Sequence, residues 1–370
     1  MQDSENRRIL CFATQGDEHL DAERLRYLLE PLRPQVYPFD HARRIHSALG
    51  LMKAIRARRP SLVVMEGTGI AGGVALLVMN ALLGVPFVLC SGDAVGPYLR
   101  LRSRVAGLLG ELYERLLCRR CAGYVGWTPY LVGRALTFGA PRAMTAPGWT
   151  RERAASGARD AIRRRMGIPA GALVVGLVGS LNWRSRVGYV YGAELVRAVR
   201  DVKRRDVIVC IVGDGPGLER LREMARDLGA RVLLPGRVPA AEVADYLAAF
   251  DVASLPQSVD GVGSFRYSTK LSEYLAAGLP IITGETPAAY DLDEGYIWRL
   301  PGPAPWSAVY VHALTQLLET LTTGEIEQRR QAALHRQSHP FDQLAQQRRM
   351  GEFIEELLAS GDRGRDGHLA

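Results

Sequence analysis

The stretch GSFRYSTKLSEYLAAGLPIITG, residues 263–284, reads as one turn of a parallel α/β fold. Ser268 or Thr269 can cap a helix beginning at Lys270, and the apolar PIITG that follows has the composition of a buried strand. Lys270 is one of three lysines, with Lys53 and Lys203, among 47 Lys and Arg residues. Glu273 stands one helical turn beyond it, on nearly the same face. A compact ammonium in an arginine-rich chain suggests an anionic ligand; the alternative is a solvated surface lysine paired with Glu273.

Working outward from this stretch, the runs LVVGLVG (173–179), VIVCIVG, RVLLPG, VASLP and PIITG alternate with segments of helical periodicity. The same pattern occupies residues 8–127, where RILCFA, VYPF, SLVVME, PFVLC and GYVGW are the strand runs. Such alternation implies parallel strands joined by crossover helices. Between the two series, about residues 147–170 carry Pro, Gly and charge but no strand. The reading is two doubly wound α/β domains, 1–150 and 151–340, then a helix over 341–359 and a polar, Gly-rich tail over 360–370.

Composition narrows the function classes. The chain has 370 residues, 23% charged and 47% hydrophobic, as in soluble globular proteins. Cys11, Cys90 and Cys210 sit in apolar runs, and Cys118 and Cys121 form a C-x-x-C with no second cluster nearby to complete a metal site. An odd count of five without framework spacing points to a reducing, cytoplasmic setting. The opening MQDSENRR lacks the basic-then-apolar order of a signal peptide. Glu66 to Asp93 holds no charge between its ends, but Gly84-Val85-Pro86 cuts it into an expected buried helix and buried strand. The net charge of +8 is uneven: residues 1–150 carry 19 basic and 12 acidic side chains, the remainder 28 and 27.

Glycine turns follow several strands of the second half: GSLNWRSR (179–186), GDGPG (213–217) and GRVP (236–239). With the opening stretch they form four turns at the carboxyl ends of one sheet, where backbone N–H groups can approach a phosphate. Together, IVGDGPGLERLREMARDLGARVLLPGRVPAAEVADYLAAFDVASLP and STKLSEYLAAGLPIITG resemble the donor domain of family 4 glycosyltransferases, which have the GT-B architecture of two doubly wound Rossmann-like domains facing a cleft. The resemblance runs from about 173 to 284 and more loosely to the C-terminal helix, which it implies crosses back to the first domain. The first half matches in layout.

The resemblance implies roles for particular residues. Arg184, Arg186 and Lys270 would hold the donor diphosphate, and Glu273 would accept the ribose hydroxyls. Gly179, Ser180, Asn182, Gly213, Asp214, Gly215, Arg237, Val238, Ser268, Thr269 and Leu271 would complete the donor site, with Gly16 of the first half permitting close approach of the sugar phosphate. Two positions depart from the family. Phe265 stands where the first carboxylate of the paired-glutamate motif belongs, leaving its contact to Asp260 or to the N–H groups of Gly263 and Ser264. Gly92 stands where the histidine of a His-Asp pair belongs. Asp93 and Glu66 are the acceptor-side candidates, each with the alternative of an ordinary strand-end or capping residue.

The implied function is a retaining, hexosyltransferase-type transfer of sugar from a nucleoside diphosphate to an acceptor hydroxyl, such as a lipid-linked or cell-envelope polysaccharide precursor. Basic side chains would stabilise the leaving group, so no metal or other cofactor is called for. A nucleotide-sugar epimerase of GT-B shape and a catalytically silent partner subunit are the alternatives; no nucleic acid partner is expected. Finally, YLRLRSRVAGLLGELYERLLCRR, residues 98–120, reads as one helix with Leu101, Val105, Leu108, Leu112 and Leu116 on a stripe and Arg100, Arg102 and Arg104 at its start. It is either a membrane-facing helix on the cytoplasmic side of a membrane or one buried by its leucines.

Overall fold

A computed structural model describes residues 8–148, 154–335 and 340–366, with side chains placed as far as 360. Residues 149–153 of the expected linker and the end of the tail lie outside the described residues. The chain divides into two units, Met1–Gly148 with Phe265–Tyr267 and Pro340–Ala370, and Trp149–Ser264 with Ser268–His339.

In the first unit the strands are β1 Ile9–Ala13, β2 Gln35–Val36, β3 Leu62–Glu66, β4 Phe87–Ser91, β5 Gly123–Gly126 and β6 Ala143–Thr145. They form one parallel sheet in the order β2-β1-β3-β4-β5-β6. β1, β3, β4 and β5 are buried along their whole length, which is why they read as unbroken apolar runs. The helices are α1 Leu20–Leu29, α2 Arg44–Arg58, α3 Ile70–Leu83, α4 Val95–Arg100, α5 Arg104–Arg120 and α6 Pro129–Thr137. Phe12, Met65 and Leu89 of the sheet pack with Leu51, Ile55 and Leu76 of the helices in its core.

The second unit holds α7 Ala158–Arg165, β7 Leu173–Val178, α8 Ala193–Asp201, β8 Val207–Val212, α9 Leu218–Met224, β9 Val232–Gly236, α10 Val243–Ala248 and β10 Val252–Leu255. It continues through α11 Thr269–Ala276, β11 Ile281–Gly284, α12 Pro287–Asp291, β12 Ile297–Leu300, α13 Ala308–Thr320 and α14 Thr323–Leu334. Its parallel sheet has the order β12-β11-β10-β7-β8-β9, so the winding reverses between β7 and β10. Val175, Leu177, Val209 and Ile211 pack there against Leu195, Val199, Tyr310 and Leu314.

The last helix, α15 Gln343–Asp366, belongs to the first unit, where Gln347 Nε2 donates to the Tyr27 carbonyl at 2.7 Å. Gly123 of β5 has no side chain to keep out Phe353 and Leu357, whose ring and methyl atoms fill that space.

The expected helix over 98–120 is in fact two. α4 ends at Arg100, a turn follows in which Leu101 and Arg102 N–H groups bond back to the Tyr98 and Leu99 carbonyls, and Ser103 Oγ caps α5 by accepting from Ala106 N–H at 3.0 Å. The serine that interrupts the stripe is a helix start. The charge-free stretch resolves into α3 and β4, and among the described residues no helix is long and apolar enough to cross a membrane.

Candidate functional site

The reversal point of the second sheet is where open α/β sheets bind ligands, outside the carboxyl ends of the strands. The turn after β7 and the turn after β8 are laced together there. Gly179 N–H donates to Val212 O at 2.9 Å, Leu181 N–H to Asp214 O at 2.9 Å and Gly217 N–H to Leu181 O at 2.7 Å. Gly179 (φ +157°) and Gly213 (φ +145°) take conformations that L side chains rarely adopt. A Cβ on Gly213 would collide with the Gly179 carbonyl oxygen. One on Gly179 would collide with Lys270 Cε and lie 2.7 Å from Lys270 Nζ. The ammonium of Lys270 therefore lies directly against the β7 turn, in space that only glycine leaves open.

A second cation joins it through an aromatic ring. Arg184 stacks over Tyr191 at 5.1 Å and donates from Nη2 to the Tyr191 hydroxyl at 2.9 Å. Lys270 Nζ is 6.0 Å from the centroid of the same ring. The backbone of Arg184 is fixed by its N–H donating to Tyr189 O at 2.8 Å. Beneath, fully buried Glu194 accepts from the Tyr189 hydroxyl at 2.7 Å and from Gly192 N–H at 3.0 Å, and burial pushes its carboxyl up to about 7. Tyr191 is a site residue that spacing rules miss, because it lies beyond the glycine turn and reaches the cluster only through the fold.

The other residues expected at this site take varied positions. Ser180, Asn182 and Arg186 are exposed on the β7 turn. Exposed Asp214 accepts from Gly215 N–H at 2.7 Å, and the turn bearing Arg237 and Val238 is tied in by Gly213 N–H donating to Gly236 O at 2.9 Å. α11 begins at Thr269 with Ser268 as its N-cap residue, whose side chain makes no capping bond. Lys270 and Glu273 are half-buried in its first turns. Leu271 is a core residue, 2% exposed, with its N–H donated to Ser268 O.

The replaced carboxylate has a structural reason. Phe265 belongs with the first unit, where it packs against that core, its carbonyl accepts from Thr128 Oγ1 at 2.8 Å and Arg134 lies 5.5 Å over its ring. The proposed substitutes are engaged with one another: Asp260 Oδ1 accepts from Val262 and Gly263 N–H groups, both at 2.8 Å, and Ser264 N–H donates to Asp260 O at 3.0 Å. Burial acts to raise the Asp260 carboxyl, but the Gly263 and Val262 N–H groups, the Ser258 hydroxyl and Arg184 together hold it below the usual carboxylate range. The sequence also holds an Asp-x-Asp pattern, Asp291-Leu292-Asp293. Its Asp293 closes a loop, accepting from Gly295 N–H at 2.8 Å and pairing with Arg299 at 2.6 Å.

The carboxyl end of the first sheet is assembled differently. Glu66, 1% exposed, pairs with Arg24 Nη1 at 2.6 Å through Oε2 and accepts from Trp127 Nε1 at 3.0 Å through Oε1. Burial pushes its carboxyl up to about 7, against the pull of Arg24. Arg24 in turn donates to the Ala146 carbonyl and stacks 4.7 Å over the Trp127 ring. Gly92 is explained here: a Cβ on it would lie 3.0 Å from Trp127, so the indole occupies the space a larger residue would need. Asp93, half-exposed, pairs with Arg266 Nε. His19 and Asp21 head α1 beside this group. Burial raises the Asp21 carboxyl and nearby Asp93 adds to it, while His19 and Arg24 oppose. Gly16, at φ +103°, turns the chain between β1 and α1. Arg24, Trp127, His19, Asp21 and Arg266 gave no motif in the sequence.

Residues 172–319 match the family model described as Glycosyl transferases group 1. A GDP-mannose-dependent alpha-(1-6)-phosphatidylinositol monomannoside mannosyltransferase of Mycolicibacterium smegmatis is 35% identical over 101 residues, 26% of each chain. A 2-deoxystreptamine N-acetyl-D-glucosaminyltransferase of Streptomyces fradiae is 28% identical over 267 residues, 66% of this chain and 62% of that one. The chain thus matches about a quarter of the first relative's length and under two thirds of the second's. Among solved structures, Anabaena HepE in complex with UDP-glucose superposes with a TM-score of 0.71 at 15% identity, covering 94% of this chain and 99% of the other. The similarity to group 1 glycosyl transferases thus lies within the second unit, and the fold is of the GT-B type that the superposed structure shares.

Proposed function

We propose that the protein transfers a sugar from a nucleoside diphosphate sugar to an acceptor hydroxyl. The observation that carries this reading is the convergence of Lys270, Arg184 and the two locked glycine turns at the reversal point of the second sheet. The bond that breaks joins the anomeric carbon to the diphosphate; the bond that forms joins that carbon to the acceptor oxygen, whose proton is released. Negative charge grows on the departing diphosphate, and two cations with the N-terminus of α11 are suited to receive it. Lysine suits this place because its narrow ammonium fits over Gly179, where a guanidinium would not. Glu273, one turn along α11, suits the two hydroxyl donors of a ribose. With this charge supplied by side chains, the step is written without a metal.

The finer assignments follow from the same reading. Retention at the anomeric carbon is proposed with the family, the acceptor is assigned to the first unit, and a lipid-linked or envelope-polysaccharide precursor on the cytoplasmic face of the membrane is the acceptor class. The relative that acts on a phosphatidylinositol mannoside supports that class. Thermal unfolding with UDP-, GDP-, ADP- and dTDP-sugars tests the donor assignment, since a ligand of the native state raises its melting temperature. A rise with one donor, followed by release of its nucleoside diphosphate only when acceptor is added, supports the transferase. Conversion of donor alone into an epimeric nucleotide sugar, with the diphosphate still attached, indicates an epimerase, and no rise with any donor indicates a silent subunit.

A further inference from the structure

The helix α5 is turned inside out. It buries Gly107, Gly110, Glu114, Leu117 and Cys118, and exposes Val105, Leu108, Leu109 and Leu112 by 59% to 66%. Leu116 continues the stripe and Leu101 precedes it, both about half exposed. A helix laid on a protein core normally does the reverse. The inward face has a structural explanation. Gly107 and Gly110 let α4 approach closely, and buried Glu114 pairs with Arg134 at 2.9 Å while accepting from Gly96 N–H at 3.2 Å. Nothing in the first unit covers the outward face among the described residues. α3 meets α5 where Tyr113 donates to Gly69 O at 3.2 Å, and it too carries exposed apolar residues, Ile70 and Val74.

The charges around the stripe discriminate between occupants. Between Val95 and Arg120 the chain carries six arginines, Arg100, Arg102, Arg104, Arg115, Arg119 and Arg120, against two glutamates. Glu114 is buried in its own pair, and Glu111 is engaged by Arg100 at 3.2 Å and Arg115 at 3.8 Å. A second copy docking through the same patch would set these arginines against themselves, since a two-fold interface is self-complementary. An anionic bilayer instead takes leucines into the acyl boundary while arginines remain among headgroup phosphates. We infer that the α5 face, with its arginine rim, is the surface by which this protein lies on an anionic lipid bilayer. It belongs to the first unit and the donor site to the second, and the inference stands or falls independently of the transferase reading.

The test is flotation of the full chain with vesicles of phosphatidylcholine alone or with about 30% phosphatidylglycerol. The expected result is binding to the anionic vesicles, weakened by high salt. A Leu108→Ser, Leu109→Ser, Leu112→Ser variant changes only exposed residues; it should keep the thermal response to donor and lose binding about ten-fold or more. Replacing Arg102, Arg104 and Arg119 with Gln should remove the preference for anionic lipid, whereas Val309→Ser in the second unit should change nothing. Absence of wild-type binding at low salt, or full binding by the serine variant, overturns the inference. So does a wild-type dimer in light scattering that becomes a monomer in the serine variant, because a second copy would then be the occupant.

Discussion

The two sheets end in opposite kinds of chemistry. At the carboxyl end of the first, side chains from distant segments bond to one another: Arg24 from α1, Glu66 from β3 and Trp127 after β5 form a linked set, in which Arg24 Nε is buried without a hydrogen-bond partner. At the carboxyl end of the second, backbone turns lock together and aim two cations, Lys270 and Arg184, at one aromatic ring. The first arrangement spends its polar groups on the fold. The second fixes positive charge at the reversal point of the sheet, which suits an anionic ligand. The buried carboxyls repeat the contrast, since Glu66 faces a guanidinium whereas Glu194 is held by a hydroxyl and a backbone N–H.

The largest effect expected from breaking this contrast lies in the first unit. Arg24→Met leaves the Glu66 carboxylate buried without its cation, a loss of about 3–5 kcal/mol. Urea unfolding followed through the first unit's transition measures it; a loss under about 1 kcal/mol would mean the pair does not hold the fold as described. Next comes Gly179→Ala, in which the new methyl displaces Lys270. Donor affinity should fall by roughly 1.5–3 kcal/mol, as for loss of one charge-assisted contact. Calorimetric affinity equal to wild type would separate Lys270 from the donor.

Smaller still is a pH effect in the second unit. Glu194 keeps its proton in the folded state up to about 7, while in the unfolded chain it loses it near its ordinary value of 4.5. The native state then binds more protons across that window, so stability should fall as pH rises from about 4.5 to about 7 and level off above. Glu194→Gln should flatten that part of the profile; an unchanged slope would show that the carboxyl is ionised in the fold. The smallest effect belongs to Asp93→Asn. Its pair with Arg266 is partly exposed, and the stability loss should be about 1 kcal/mol or less.

The contrast also explains what the sequence discloses. Fully buried strands such as FVLCS and VIVCIV announce themselves as apolar runs, and the doubly wound fold follows from their alternation. β6 (AMT) and β12 (IWRL) went unread because edge strands are short and carry little pattern. Glycine turns are legible because backbone geometry demands glycine at a fixed residue, as at Gly213. A linked set of side chains has no such signature: Arg24, Glu66 and Trp127 are far apart in sequence and meet only in the folded sheet. The same holds for Phe265. Its identity marks a departure from the family pattern, but its service to the first unit's core is visible only in the fold. The exposed face of α5 was legible as a stripe, and its orientation was not, because the composition of a helix does not say which face Gly107 and Gly110 bring inward.

The central claim is that Lys270 and Glu273 hold a nucleoside diphosphate sugar on the second unit. Isothermal titration of the donor that stabilises the wild-type chain, repeated with Lys270→Ala, Glu273→Gln and the surface control Glu285→Gln, tests it most directly. The predicted result is a loss of roughly 1.5–3 kcal/mol for each of the first two variants and no change for the control. Equal affinity in all four proteins would contradict the claim and reduce Lys270 and Glu273 to a helix-surface pair.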